Sequence, residues 1–496
     1  MKIQKKILCV TLFFLIPFFL PHLTLAQIPE KKLTLDETVT LAKDNSTDAV
    51  GAKHLYMSNY WQHQSFKAGF LPQLSIDASI PNLNRSISPI TMPDGSDVFI
   101  SRSLANSSAN LSLSQAVGLT GGRVFINSGI QRIDLIRDSI TTSFSTTPVS
   151  IGISQPLFGF NSYKWEKQIE PLRYEEGKRQ YIEEQENIAM RATRHFFNLL
   201  NAQINKEISK TNYSNNDTLF KIAKSRYDLG KIAENELLEM ELNYLNSQAG
   251  LEQAKIDYQS AMLRFKSYLG LAETDDIELI LPLEIPDFKI DVSKAVAEAL
   301  KNSPNTLSNK KSIIEAERDL AKAKAGNRFN VNLFAIYGLA QSAYAFSDVY
   351  KNPLDQQQLE IGIQVPILDW GISKGKVKMA KSYSEFVKAI VNQDITDFEQ
   401  EVFLKVLHFN ILFNQIEISG KADIVAQKRY EATKQRFIIG NIDIIPLNLA
   451  EEAKDLAKQN YISSLRKFWE AYYEIRKLTH YDFQNNKEIS LDFDNF

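Results

Sequence analysis

Apolar residues recur along this chain with the period of long helices. In 251–268 they stand at alternating spacings of three and four, at Leu251, Ala254, Tyr258, Ala261, Phe265 and Tyr268. Spacings that average 3.5 residues place side chains on one seam of a helix, as in coiled coils. From 160 to 227 the only helix-breaking residues are Gly177 and Pro171. The pattern predicts a helix of about 60 residues and about 90 Å there, and an equal one over 370–437.

Shorter segments alternate apolar and polar residues, which is typical of β-strands with two different faces. In "VSIGIS", Val149, Ile151 and Ile153 would share one face. Ser150, Gly152 and Ser154 would share the other. The predicted strands cover about 70–80, 148–157, 329–340 and 357–366.

The pattern occurs twice along the chain, so an internal repeat is predicted. "RYDLG" at 226–230 and "RFIIG" at 436–440 lie 210 positions apart, as do the segments around Pro156 and Pro366. Nearer the start of each half, "VTLAKDNS" at 39–46 matches "VAEALKNS" at an offset of 257. The first half therefore holds 47 additional residues, between about 79 and 150.

This extra block is rich in Ser, Asn, Gly and Pro. We interpret it as a loop plus a β-hairpin, with strands 108–117 and 123–132 around the turn "LTGG" and long loops at 81–107 and 133–147. Two outcomes stay open. The hairpin joins the sheet, giving six strands per chain, or it caps or lines the mouth formed by the other strands without joining them.

The N-terminus has the features of an export signal. Three lysines precede the apolar run "ILCVTLFFLIPFFL", and "LTLAQ" suggests cleavage after Ala26. A membrane anchor is the alternative, but the run is short and is interrupted by Pro17 and Pro21. The only cysteine, Cys9, lies within this segment, so the mature chain would contain neither a disulfide nor a thiolate metal site.

The predicted organisation is a signal peptide at 1–26, a first repeat at 27–272, a linker in the equatorial region at 273–290, a second repeat at 291–482 and a tail at 483–496. The first repeat contains the inserted loop and hairpin at 81–147 and a long helical hairpin at about 160–270, and the second a helical hairpin at about 370–481.

Composition argues against two other classes of function. The net charge of −2 becomes −5 without the three signal lysines, which does not favour a nucleic-acid partner. The six histidines are scattered, with no metal-binding spacing, and neither a phosphate-binding loop nor a serine elbow is present. We therefore expect no catalytic site, no metal and no cofactor.

Taken together, the chain resembles the outer-membrane efflux family typified by TolC. The resemblance spans about 33–480 and rests on "LTLDETVTLAKDNS", "LPQL", "QPLFGFNSYKW", "VPILDWGISKGKVKMAKS" and the two Arg-aromatic-x-x-Gly turns. It implies a mixed α and β membrane protein: a trimeric outer-membrane β-barrel continued by a long antiparallel α-helical barrel in the periplasm. Its partners would be outer-membrane lipid, a periplasmic adaptor and an inner-membrane RND or ABC transporter.

The expected function is therefore the channel-tunnel of a tripartite efflux or type I secretion system in a Gram-negative outer membrane. The alternative is a barrel protein that spans the periplasm or binds at the surface without transporting anything.

By the same resemblance, the two turns form the periplasmic tip and contact the adaptor. The matching positions are Arg226, Tyr227, Gly230, Arg436, Phe437 and Gly440. The glycines can take the left-handed conformation that ends a helix, and Asp443 can cap the next one. Pro156 and Pro366 mark junctions between strand and helix.

The sequence departs from the family at the second turn. The family places acids six and nine residues after its glycine, where this chain has Pro446 and Leu449. Glu236 and Glu239 occupy the equivalent places in the first turn. Any acidic gate must therefore use Glu236, Glu239 or Asp443.

Overall fold

The computed structural model describes residues 31–136, 139–274 and 277–493. The predicted signal peptide and the last three residues of the predicted tail lie outside the described residues.

The elements follow in chain order. The first group is β1 (Lys31–Leu33), α1 (Leu35–Asn45), α2 (Thr47–Ala68), β2 (Gln73–Thr91), β3 (Asp97–Val117), β4 (Gly122–Ile136), β5 (Ile140–Pro156), α3 (Ser162–Asp228) and α4 (Glu234–Leu269). The second group is β6 (Ile277–Leu279), α5 (Val292–Asn302), α6 (Pro304–Gly326), β7 (Asn330–Ala343), β8 (Leu354–Gln364), α7 (Ile372–Ile438), α8 (Ile444–Thr479), β9 (Tyr481–Asp482) and β10 (Lys487–Glu488).

Four long helices are the largest elements of the molecule. Helices α3 and α7 each contain 67 residues, and α4 and α8 each contain 36. At 1.5 Å per residue the longer pair extends about 100 Å. Helix α3 packs against both α4 and α8, and α8 packs against α7, so the order across the bundle is α4–α3–α8–α7. Helices α4 and α7 therefore lie at its two outer sides.

The main core lies midway along the long helices. Phe196 and Phe197 of α3 pack there with Phe409 of α7 and Phe468 of α8. Strand β1 pairs in parallel with β6, which brings the segment after α4 back to this core.

Matching caps begin the short helices of both halves. The Thr34 hydroxyl accepts from the Glu37 amide at 3.3 Å, and Asp291 accepts from the Lys294 amide at 2.7 Å. Ser46 and Ser303 cap α2 and α6 in the same way. Such caps satisfy backbone amides that have no partner within the helix.

The sheet contains six antiparallel strands in the order β2–β3–β4–β5–β7–β8. The additional hairpin, β3 and β4, lies inside this sheet, hydrogen-bonded to β2 on one side and to β5 on the other.

The prediction of long loops at 81–107 and 133–147 is wrong. Strands β2 and β3 continue through the first range and are joined by a turn at 92–96, while β4 and β5 occupy most of the second. The prolines of the first range do not prevent this, because β2 is an edge strand, where proline is tolerated. Pro81 lies in the register shift between Ser79 and Asn82.

Candidate functional site

The end of α3 adopts a Schellman motif around Gly230. The Gly230 amide donates to the Tyr227 carbonyl at 2.8 Å, and the Lys231 amide to the Arg226 carbonyl at 2.8 Å. Gly230 has φ +67°, a left-handed conformation that residues with a Cβ rarely adopt.

Helix α7 ends in the same way. The Gly440 amide donates to the Phe437 carbonyl and the Asn441 amide to the Arg436 carbonyl, both at 2.9 Å, and Gly440 has φ +82°. The two glycines therefore have a clear backbone role. The arginines lie three residues before the cap, where a cation is favoured by the helix dipole.

The structure brings the two turns together through Arg226. Its guanidinium donates to the Phe437 carbonyl at 3.2 Å and to the Ile438 carbonyl. It also lies 5.7 Å from the centre of the Phe437 ring. Arg226 thus caps the C-terminal end of α7 by donating hydrogen bonds to its last carbonyls. Sequence reasoning placed this arginine at the tip but gave no sign of its acceptor.

A buried apolar cluster lies beneath the turns and joins the two helical hairpins. Its members are Leu219, Ala223, Met240, Tyr430, Phe437, Ile444, Leu447 and Ala450. Of the predicted adaptor residues, Phe437 belongs to this cluster and is 6% exposed, whereas Tyr227 is 39% exposed.

The candidate gate residues lie at the starts of α4 and α8. Glu236 and Glu239 are in the first two turns of α4, and the Glu239 carboxylate accepts from Asn448 at 3.4 Å. Asp443 occupies the cap position of α8, but its side chain makes no capping hydrogen bond and is exposed. Pro446 lies in the first turn of α8 and is also exposed.

Sequence reasoning missed two exposed residues of these turns. Leu229 and Ile439 each directly precede the turn glycine, and they are 69% and 67% exposed. Each turn therefore presents one large apolar side chain to solvent. The repeat could have revealed them, because both turns carry an aliphatic residue at this position.

The junction prolines lie between sheet and helices. Pro156 is the last residue of β5, and Pro366 lies between β8 and α7. After Pro156, Asn161 caps α3 and its side-chain amide donates to the Gly118 and Leu119 carbonyls at 3.2 and 3.1 Å. The turn between β3 and β4 therefore packs against the helical end of the sheet.

One face of the sheet carries an apolar row across five strands. Residues paired directly across antiparallel strands share a face. Successive pairs form the exposed row Leu74, Leu113, Ile126, Ile151 and Tyr337, from β2 to β7.

The next row, on the opposite face, is polar or small in all six strands. Its members are Ser75, Ser112, Asn127, Ser150, Gly338 and Gln356. The strands β3 and β4 continue both rows without interruption, as expected if they share one environment with the other four.

Within the described ranges, no helix combines the length and the apolar character needed to cross a membrane.

Comparisons with known proteins agree with this architecture. A family model described as "Outer membrane efflux protein" matches residues 40–271. No curated protein matches the chain. Among solved structures, the fold is similar to the Campylobacter jejuni CmeC outer membrane channel, with a TM-score of 0.66, 14% identity, and 93% of this chain and 88% of that one covered.

Two further solved structures share the fold. For the outer membrane protein VceC from Vibrio cholerae, the TM-score is 0.63 at 11% identity, with 90% of this chain and 95% of that one covered. For the outer-membrane channel OprN the TM-score is 0.62 at 15% identity, with 90% of this chain and 89% of that one covered.

Proposed function

We propose that three copies of this chain, which matches the family of outer membrane efflux proteins over residues 40–271, form a channel-tunnel that exports substrates across the outer membrane. The substrates would come from an inner-membrane RND or ABC transporter through a periplasmic adaptor. The observation that carries the proposal is the two-faced sheet joined directly to helices about 100 Å long.

The sheet has the side-chain pattern of a membrane barrel. Such barrels have an apolar band facing lipid and a polar lumen, alternating along each strand. The row through Leu113, Ile126 and Ile151 would face lipid, and the row through Ser112, Asn127 and Ser150 the lumen.

The open edges of the sheet support assembly from several copies. Strand β2 forms one edge and β8 the other, with 19 and 11 residues. The described part of one chain contributes six strands to this sheet, too few for a membrane barrel, which needs at least about eight. Three copies would close a barrel of eighteen strands, with β8 of each copy beside β2 of the next. The 11 residues of β8 would match 73–83 of β2, which contains Pro81, at the register shift, but not Pro89.

The helices would continue this barrel into the periplasm as a tunnel. The turns at Gly230 and Gly440 lie at the end of the helical hairpins remote from the sheet, where an adaptor would dock. We assign adaptor contact to the exposed Leu229 and Ile439. The predicted residues Arg226, Tyr227, Gly230, Arg436, Phe437 and Gly440 would form and pack the tip that presents them.

Strand number can be tested by deleting residues 97–139, which removes β3 and β4 and joins the turn at 92–96 to β5. Arg85, Ser103, Ile136 and Ile140 form one row across the strands. Thr91, six residues after Arg85, shares that face, so β2 can pair with β5 after the deletion without reversing its faces.

Cryo-electron microscopy of both proteins should give barrels of different width. Strand spacing and a tilt of about 40° give a backbone diameter of about 36 Å for eighteen strands and about 24 Å for twelve. Equal diameters would contradict the eighteen-stranded barrel, and an absence of trimers in the intact protein would contradict the assembly.

Transport itself is tested by single-channel recording of the purified trimer in a planar bilayer. We expect a pore that is closed or small at rest and that widens when Arg226→Ala loosens the contact between the two turns. Absence of conductance from both proteins would favour a non-transporting barrel.

Adaptor docking is tested by site-specific cross-linking in cells. Leu229→Asp with Ile439→Asp should abolish cross-links to the adaptor, whereas Leu229→Met with Ile439→Met should retain them. Both variants should assemble as trimers, and cross-linking by the aspartate variant would contradict the assignment.

A further inference from the structure

The two turns share sequence and backbone, but their arginines differ. Arg226 is partly buried and donates to carbonyls at the end of α7, whereas Arg436 is exposed and has no acceptor among residues 31–136, 139–274 and 277–493. A Cβ added to Gly440 would lie 3.9 Å from Arg226, while one added to Gly230 would meet nothing within 4 Å. The space that Arg226 fills at one turn is therefore open at the other.

The neighbouring rings show the same difference. Phe437 is covered by Arg226 and the cluster beneath the turns, but Tyr227, at the equivalent position, remains partly exposed. Within the described residues, the first turn therefore has no arginine over its aromatic ring, whereas the second turn has Arg226.

Helices α4 and α7, at the outer sides of the bundle, carry exposed apolar stripes. On α7, Leu404, Ile411, Ile418 and Val425 are spaced by seven residues. On α4, Leu242, Ala249, Ile256 and Leu263 have the same spacing. A seven-residue apolar spacing is the seam of a coiled coil, which requires a second helix.

A second copy of this chain would supply both missing neighbours. Inside the chain, α3 of the first hairpin packs against α8 of the second. Because α3 corresponds to α7 and α8 to α4, the equivalent contact joins α7 of one copy to α4 of the next. Repeated around an axis, this head-to-tail contact closes a ring.

We propose that Arg436 of each copy closes the α3 C-terminus of the next copy, donating to the carbonyls of Tyr227 and Asp228 there. Tyr227 of that copy then lies beneath the guanidinium, as Phe437 lies beneath Arg226. This inference rests on the ring of three copies proposed above.

The charge at the receiving site favours the contact. The C-terminal end of a helix carries partial negative charge. Asp228 adds a carboxylate where the second turn has Ile438. Arg436 would therefore meet a more negative site than Arg226 does.

The contact also predicts which residues meet along the helices. Inside the chain, Asn212 of α3 donates to Asp455 of α8 at 2.7 Å. The equivalent residues are Ala422 of α7 and Leu245 of α4, both exposed. The junction between copies would thus be apolar where the junction within a copy is polar.

Cross-linking tests this pairing. The only cysteine, Cys9, precedes the predicted cleavage site, so introduced cysteines would be the only thiols in the mature protein. With a short bifunctional thiol reagent, Ala422→Cys with Leu245→Cys should give covalent dimers and trimers. The matched control, Asn212→Cys with Asp455→Cys, should react within one chain and remain monomeric on a denaturing gel.

Hydrogen exchange tests the arginine itself. In the assembled protein, Arg226→Ala should speed amide exchange at 438–442. Arg436→Ala should speed it at 228–232, each by about tenfold for the loss of a charged hydrogen bond. In protein dissociated to monomers, Arg436→Ala should leave exchange at 228–232 unchanged.

The outcomes separate this inference from the proposed channel. If trimers conduct but Ala422→Cys with Leu245→Cys gives only monomers while the control reacts, the contact is wrong and the channel stands. The cap is wrong if Arg436→Ala changes exchange only at its own turn. Failure of the intact protein to form trimers would overturn both.

Discussion

His480 is a buried histidine at the end of α8, in the left-handed conformation with φ +49°. Burial, followed by the nearby positive charge of Arg179, lowers the pKa of His480 to about 4. No hydrogen-bond partner for its Nε2 atom lies within the described part of the chain. The folded protein therefore holds this side chain neutral.

We predict that His480 makes the fold sensitive to mild acid. An unfolded histidine has a pKa near 6.5, so the unfolded state takes up a proton first as the pH falls. Stability is then lost progressively between about pH 6.5 and pH 4, by up to about 3 kcal/mol. His480→Asn, which tolerates the same backbone conformation, should reduce the fall in melting temperature between pH 7.5 and pH 5. The exposed His54→Asn is the control, and equal falls in all three proteins would contradict the prediction.

Gly440 should be sensitive to a single methyl group because of its φ of +82°. Gly440→Ala is expected to destabilise the turn by about 1–2 kcal/mol. Gly375→Ala, in an open position inside α7, should be neutral or stabilising by up to about 1 kcal/mol. Amide exchange at 437–441 measures the difference, and similar rates in both variants would rule out strain at Gly440.

At this scale the sequence predicts backbone roles better than contacts. A glycine after a long helical pattern indicates a left-handed cap, and both Gly230 and Gly440 adopt one. The acceptors of Arg226 depend on how α3 lies against α7, and no local pattern records that. Asp443 illustrates the limit, since it occupies the cap position without making the capping bond.

Among the elements, β4 offers the most direct test of how the additional hairpin is used. Ile126 lies in the exposed apolar row and Asn127 in the polar row. We predict that Ile126→Arg destabilises the folded protein by about 2–4 kcal/mol, the cost of an arginine at the lipid midplane of a barrel. Asn127→Arg, one residue away on the other face, should cost much less.

The measurement is heat-induced unfolding of both variants in detergent and in lipid vesicles. A hairpin outside the membrane would tolerate both substitutions equally, and that result would contradict the assignment of β4 to the lipid face.

The sequence predicts the long helices more accurately than it predicts the ends of the strands. The structure has the two longest helices at Ser162–Asp228 and Ile372–Ile438, where the spacing of apolar residues predicts helices of about 60 residues. The outer parts of β2 and β3 were not predicted, because the Ser, Asn and Pro residues of 81–107 suggested a loop. Apolar and polar residues still alternate through much of this segment. The pairing that keeps this segment extended is a property of neighbouring strands, which composition does not show.

For the whole molecule, the family resemblance drawn from the repeated turns and junctions is confirmed over 40–271, which contains the first turn and the first junction. The number of strands was left open by the sequence, because a hairpin within the sheet and one above it have the same alternation. The pairing of the strands in the structure places the hairpin within the sheet, because the rows through Ile126 and Asn127 continue into the neighbouring strands.

Ion selectivity of the proposed channel tests the predicted acidic gate. The substitutions Glu236→Gln, Glu239→Gln and Asp443→Asn together would remove nine carboxylates from the tip of a trimer. We predict a lower preference for cations, because rings of carboxylates raise the local cation concentration. Glu417→Gln, an acid paired with Lys421 away from the tip, is the control. An unchanged permeability ratio would exclude the acidic gate.

In the proposed barrel, the unequal strand lengths would also determine the shape of the outer rim. Strand β3 has 21 residues and β8 only 11. At about 3.4 Å per residue β3 measures about 70 Å, well beyond a hydrocarbon layer about 30 Å thick. In a closed ring each short β8 stands beside the tall β2–β3 hairpin of the next copy. The outer end of the barrel would then be uneven, with three tall hairpins separated by three lower positions at the short strands. Cargo could leave sideways between the hairpins as well as along the barrel axis.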